Sequence, residues 1–148
     1  MEGIRDGLWK KMNENVKRNE RYLNEFEKWL NKKGLVNKTI KKHLNNTDLF
    51  INDYLNYYDI VKAEDGLNEI FSFLNGWFIE KCMWSSRNSL KETAASLKKF
   101  YQYMSENNYV DVNDYKETFD FIKNNMDELL ESVDEFNNFD EDDYYDLF

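Results

Sequence analysis

The chain has one histidine and one cysteine, and none of its 29 Asp and Glu residues stands in a recognisable catalytic or metal-binding spacing. His43, the only histidine, falls on the apolar stripe of a predicted helix, which favours a partly buried structural role over acid–base chemistry. Cys82 lies beside Met83 and Trp84, a context that favours a buried, unreactive thiol. The run Asp140–Asp143 lacks the glycine and the spaced final glutamate of a calcium loop. Because the five glycines are scattered singly, there is also no phosphate loop, and we predict no catalytic residue, metal or cofactor.

The length and composition of the chain predict one all-helical domain. Its 148 residues suffice to bury a core, and 41% hydrophobic residues argue against disorder of the whole chain. The absence of proline is typical of long helices joined by short loops. A single cysteine cannot form an intramolecular disulfide, and no apolar run approaches the roughly 18 residues of a membrane span. With no signal-peptide pattern at the N-terminus, we expect a cytoplasmic protein that does not enter membranes.

Charge is distributed unevenly along the chain. Residues 1–50 carry 12 basic and 7 acidic side chains, and residues 51–105 carry 6 and 7. Residues 106–148 carry 2 basic and 15 acidic side chains, so the net charge of −9 comes from the C-terminal third. Phosphate binding needs a positive face, and only the first two thirds of the chain offer a mildly basic surface.

Apolar residues recur at helical spacing along most of the sequence. They predict one or two N-terminal helices that end near Gly34, and then helices over about 38–58, 67–78 and 88–106. Gly34 follows two lysines, as expected of a C-terminal cap with cations near the negative end of the helix.

The most regular stripe follows Asp111, a predicted N-cap, and runs from Val112 to Phe136 in alternating steps of three and four residues. It predicts a long acidic C-terminal helix. In one interpretation the helix buries this seam against the rest of the bundle. In the other, the seam forms a coiled coil or a groove for a partner helix, although the acidic flanks disfavour pairing with a parallel copy.

Two stretches of the chain resemble a known module. The first comprises Phe26–Leu30, Gly34–Ile40, Leu44, Phe50 and Ile51, and the second comprises Ser89, Leu90, Ala94–Met104 and Asn108–Val110. In this order and spacing they are similar to the first two helices and the last helix of the core-binding domain of tyrosine recombinases of the phage-integrase type. The resemblance covers about residues 20–110. It implies a SAM-like bundle of four to five helices that clamps one face of a DNA duplex.

The resemblance also implies two sets of DNA contacts at helix starts, where hydroxyls, lysines and backbone N–H groups meet phosphates. Glu92 and Thr93 depart from the family pattern, since basic or amide side chains usually stand there and a carboxylate repels phosphate. A solvated helix face is the alternative explanation for the lysines. The implied contacts are Lys38, Thr39, Lys41 and Lys42 in the first set, and Ser86, Arg87, Ser89 and Lys91 in the second.

The catalytic residues of the family have no counterpart here. The recombinase catalytic domain uses an arginine, a lysine, a His-x-x-Arg motif and a nucleophilic tyrosine. No arginine lies beyond Arg87, and tyrosine attack on phosphorus needs a cationic clamp that stabilises the developing charge. We therefore expect no recombinase chemistry and no enzyme.

The last residues form an acidic tail. We predict a single helical domain over 1–133 and a tail over 134–148 that is disordered when free. Two functions remain open: weak duplex-DNA binding in a recombination-related or regulatory role, and interaction with a basic protein through the acidic helix and tail. The tail could also screen the basic face of its own chain. Its apolar anchors are Phe139, Tyr144, Tyr145, Leu147 and Phe148.

Overall fold

The computed structural model describes the backbone of residues 2–82 and 85–146, and the side chains of residues 5–82 and 85–137. Within those ranges the chain is all-α and contains no strand, so the predicted fold class is confirmed. Six helices follow one another. They are α1 (Glu2–Lys32), α2 (Asn37–Asp48, continued by the π-helical segment Leu49–Tyr54), α3 (Ile70–Ser72, the π-helical segment Phe73–Trp77, and Phe78–Lys81), α4 (Arg87–Glu106), α5 (Val112–Asn124) and α6 (Met126–Asp146), with two short 3-10 turns, Ala63–Asp65 and Leu67–Glu69, before α3.

The N-terminal region forms one uninterrupted helix that ends at the predicted glycine cap. Gly34 has a φ of +81°, a left-handed conformation that costs glycine little. Its N–H donates to the Asn31 carbonyl over 3.0 Å, which satisfies one of the last carbonyls of α1. The chain reverses there and enters α2 three residues later.

The prediction of one long C-terminal helix from Val112 is wrong, because the chain breaks at Asn125 into α5 and α6. Asn125 has a φ of −112° and a ψ of 15°, outside helical geometry. Its side-chain amide donates to the Phe121 carbonyl over 2.8 Å, and such local bonds compete with the continuing helix. The apolar spacing survives the break because both helices pack on the same core. The seam residues Phe119, Ile122, Leu129 and Val133 are buried within the chain, as the intramolecular interpretation predicts.

One apolar core joins the helices, with α1 packed against α4 and α2 packed against α3. The Phe26 ring of α1 meets the Phe100 ring of α4 edge-on, with centroids 5.3 Å apart. The Phe50 ring meets the Phe73 ring of α3 at 5.0 Å. All four side chains are fully buried, and aromatic pairs of this geometry add stabilisation beyond their buried area.

Helix α6 crosses the predicted boundary between domain and tail, since its backbone continues to Asp146. The side chains of Phe139, Tyr144 and Tyr145, and the whole of Leu147 and Phe148, lie outside the described residues. The disorder predicted for the free tail therefore stays a prediction.

Candidate nucleic-acid interface

Helices α2 and α4 pack together through a polar contact that sets their relative direction. The Lys42 ammonium lies 2.7 Å from the Glu92 carboxylate, and one turn further along both helices Asn46 donates to the Ser96 hydroxyl over 3.0 Å. Because both pairs advance in the same chain direction, the N-terminal ends of α2 and α4 lie on the same side of the contact. The two predicted sets of DNA contacts therefore share one end of the bundle.

The buried centre of this contact is His43, whose side chain is 7% exposed. Its Nδ1 lies 2.8 Å from the Ser96 hydroxyl oxygen, and that hydroxyl donates to the Glu92 carbonyl over 3.0 Å. The role predicted for His43 as a partly buried structural histidine agrees with this geometry. Burial, followed by the positive charges of Lys99 and Lys42, lowers the pKa of its imidazole below 6.5.

The two helix starts are capped differently. At α4, the Ser86 hydroxyl accepts from the Ser89 N–H over 3.1 Å, and the Ser89 hydroxyl accepts from the Ser86 N–H over 2.7 Å. This reciprocal capping box uses both predicted serines to stabilise the helix. No side chain caps α2, whose N-cap is Val36, so the N–H groups of its first turn remain available to an anion.

Three of the predicted basic residues, Lys38, Lys41 and Lys91, are exposed and form no ion pair with any side chain that the structure describes. The other two are paired with carboxylates of the same chain: Lys42 with Glu92, and Arg87 with Asp134 of α6 over 2.5 Å. Both paired side chains remain about half exposed. Thr39 is partly buried, and Thr93, which departs from the family pattern, is buried and does not face solvent.

Sequence reasoning missed two further cations on α4. Lys98 is exposed and lies seven residues after Lys91, on the same face of the helix. Lys99 is partly exposed and close enough to His43 to affect its titration. The seven-residue spacing was the signal that could have identified Lys98. Both lysines lie further along α4, away from the N-terminal end at which the two predicted sets of contacts meet.

The described side chains of the acidic C-terminal helix reach this surface at Arg87. Besides the Asp134 ion pair, the Ser132 hydroxyl of α6 donates to the Asn75 side-chain oxygen of α3 over 3.0 Å. Leu129, Leu130 and Val133 hold the same helix in the core. Asp134 is thus a fixed negative charge beside a predicted DNA contact.

The side chains most suited to other chemistry are engaged or buried. Cys82 is buried, as its context predicts, and burial followed by the Asp53 charge raises the pKa of its thiol, which disfavours the reactive thiolate. Across the side chains that the structure describes, no group of three or more His, Cys, Asp or Glu could hold a metal ion. In the same part of the chain, no helix is long and apolar enough to cross a membrane.

Comparison with protein-family models, with curated proteins and with solved structures found no match for this chain. The resemblance to the recombinase core-binding domain therefore stays a prediction that rests on the residues quoted above.

The titration of His43 gives a first test of the α2–α4 contact. The unfolded state binds a proton at His43 with the ordinary pKa of 6.5, and the folded state binds it only at lower pH. The free energy of unfolding should therefore be highest above pH 6.5 and fall as the pH drops from there toward the folded-state pKa. Asparagine at position 43 (His43→Asn) keeps a hydrogen-bonding side chain near Ser96 that does not titrate, so the stability of this variant should change less over this window. Urea unfolding between about pH 5 and 7.5 checks this, above the range in which most carboxylates titrate. Equal pH dependence in both proteins would contradict it.

Proposed function

We propose that this chain binds duplex DNA weakly and without chemistry, through the face formed by the N-terminal ends of α2 and α4. The observation that carries the proposal is the shared direction of the two helices, which brings Lys38, Lys41 and Lys91 to one exposed end. The uncapped start of α2 adds backbone N–H groups that favour phosphate oxygens. A recombination-related or regulatory role follows from the resemblance alone.

The weakness of the binding follows from the charges around this face. Glu92 and Asp134 neutralise two of its five predicted cations and place carboxylates where phosphates would approach. The remaining three lysines give few phosphate contacts, and each contact contributes through counterion release. The DNA affinity of the full chain should therefore be low and sensitive to salt.

Reversing the charge of two exposed lysines tests the proposal. Lys38→Glu with Lys41→Glu should reduce affinity for a labelled duplex at low salt at least tenfold, because two phosphate contacts are replaced by repulsion. Fluorescence anisotropy of the full chain measures this. Lys116→Glu with Lys123→Glu on α5 makes the same change in net charge away from the face and should have a much smaller effect. Equal losses in the two double variants, or no salt-sensitive binding by the unchanged protein, would overturn the proposal.

A second candidate function is interaction with a basic protein, and the surface of α6 favours it. With the seam of α6 buried, the described part of the helix exposes Asp127, Glu128, Glu131 and Glu135 and carries no lysine or arginine. The aromatic residues of the tail would supply apolar anchors for such a partner. The anisotropy experiment separates the two functions, since DNA affinity indifferent to Lys38 and Lys41 would leave the acidic surface as the remaining candidate.

A further inference from the structure

An apolar surface lies at the N-terminal end of α1, remote from the proposed DNA face. Leu8 is 54% exposed, Trp9 65% and Tyr58 72%, well above what large apolar side chains in a folded core show. Val16 and Tyr57 add further exposed area. The apolar stripe of α1 thus continues past the core toward the N-terminus, and no side chain that the structure describes buries Leu8 or Trp9 there. We call this surface the α1 patch; it comprises Leu8, Trp9, Met12, Val16, Tyr57, Tyr58 and Ile60.

The patch is built around a cleft of about 430 Å³ with two distinct walls. One wall is α1, which contributes Leu8, Lys11 and Met12. The other is the segment after α2, which contributes Tyr58, Asp59 and Ile60 together with Asn56. Each wall therefore carries two apolar side chains, and the charge on one wall is opposite to the charge on the other.

Buried amides hold the two walls in place. The Asn15 side chain of α1 is fully buried and donates to the Asn56 side-chain oxygen over 2.8 Å and to the Val61 carbonyl over 3.1 Å. One turn later, Asn19 donates to the Ile51 carbonyl over 3.1 Å and to Asn52 over 2.8 Å. Because these buried side chains donate to the backbone carbonyls of Val61 and Ile51, they hold the segment after α2 against α1, so the cleft is preformed.

We propose that the α1 patch is the contact surface between two copies of this chain, related by a two-fold axis through the cleft. Such an axis places the α1 wall of each copy against the 58–60 wall of the other. Leu8 and Met12 then pack on the partner's Tyr58 and Ile60. Lys11 of each copy then meets the partner's Asp59. The two walls therefore match each other in opposite charges as well as in apolar side chains.

The exposed area of the α1 patch fits contact with a second copy of this chain. Aromatic side chains bury about 150–250 Å² each, so Trp9, Tyr57 and Tyr58 at half exposure or more, with the smaller Leu8 and Val16 added, offer on the order of 500 Å² of surface. With a polar rim added, this approaches the roughly 800 Å² per partner of a stable interface. The patch also lies at the opposite end of α1 from the turn into α2, so pairing leaves the start of α2 accessible in both copies.

Exchange of the two charges tests the arrangement directly. Lys11→Asp and Asp59→Lys should each raise the dissociation constant of the dimer about tenfold, because every single substitution creates two like-charge contacts across the axis. The double variant restores both pairs with reversed polarity and should return the dissociation constant to within about threefold of the original. Sedimentation velocity of the full chain over a wide concentration range measures these values. Lys28→Asp, further along α1, is the matched control and should leave the dimer unchanged.

A second pair of substitutions tests the apolar part. Leu8→Ser with Trp9→Ser should abolish the dimer over the same concentration range, while Val36→Ser, an equally exposed apolar residue outside the patch, should not. Both side chains are exposed, so the helical circular dichroism should be retained. A chain that is monomeric at every concentration would overturn the proposal. So would a dimer that survives the Leu8 and Trp9 substitutions, or a charge exchange that fails to restore association.

Discussion

Replacing Gly66 with alanine is expected to lower the free energy of unfolding by about 2–3 kcal/mol, at the upper end of the roughly 1–3 kcal/mol that overpacking of a core typically costs. Gly66 has a φ of −85°, which any residue adopts, so the cost arises from space and not from the backbone. An added Cβ would lie 2.5 Å from the Tyr101 hydroxyl and 3.0 Å from Leu55 Cδ1. Tyr101 is fully buried, and its hydroxyl donates to the Ala63 carbonyl over 2.8 Å. Relief of the clash would break that bond inside the core.

Two variants make this prediction specific. Gly76 has no heavy atom within 4 Å of an added Cβ, so Gly76→Ala should leave the free energy of unfolding unchanged or raise it by up to about 1 kcal/mol. In the Gly66→Ala protein, Tyr101→Phe removes the clashing oxygen, so the double variant should be less destabilised than the sum of the single changes. Urea unfolding measures all of these. Additive single effects, or a Gly66→Ala protein as stable as the original, would show that the turn is not packed against Tyr101.

Neutralising the two carboxylates beside the proposed DNA face is expected to strengthen duplex binding about tenfold at low salt. Glu92→Gln frees Lys42, and Asp134→Asn frees Arg87, while both substitutions keep a polar side chain of the same size. Each also removes a negative charge that repels phosphate. Fluorescence anisotropy with a labelled duplex measures the gain, which should shrink as salt screens these exposed charges.

The control for this gain is an equal change of charge elsewhere. Glu20→Gln with Asp120→Asn neutralises two exposed carboxylates, on α1 and α5, and should change the affinity much less than the Glu92 and Asp134 pair. Stability should hardly respond, because half-exposed ion pairs contribute about 1 kcal/mol or less. If both double variants bind DNA equally well, the two carboxylates have no specific role at this face.

Much of the fold could be predicted from local signals in the sequence. The helical period and the absence of proline predicted an all-α chain, and Gly34 marked the end of α1 because a lysine pair and a glycine together are typical of a helix cap. The break at Asn125 was not predicted, since the apolar steps continue across it. The π-helical segments Leu49–Tyr54 and Phe73–Trp77 also left no signal in the apolar period.

The candidate site was predictable only in part, because the spacing of residues within one helix does not show which helices pack together. Helical spacing indicates which residues share a face of one helix, and Lys38, Lys41 and Lys42 lie at such spacings on α2. It cannot identify partners that approach from other helices. The pairing of Lys42 with Glu92, fifty residues away, and of Arg87 with Asp134 depends on how α2, α4 and α6 pack. The capping box formed by Ser86 and Ser89 could not be predicted either, because serine is typical both of helix caps and of phosphate contacts.

The most direct test of the proposed DNA face is the salt dependence of duplex binding by the full chain and by the Glu92→Gln/Asp134→Asn variant. A slope of log affinity against log salt near −3 is expected for the unchanged protein, because each of three free lysines contributes about −0.9. The variant should give a slope of about −4.5, since Lys42 and Arg87 then join the contacts. Equal slopes in the two proteins, or no binding by either at low salt, would contradict the account.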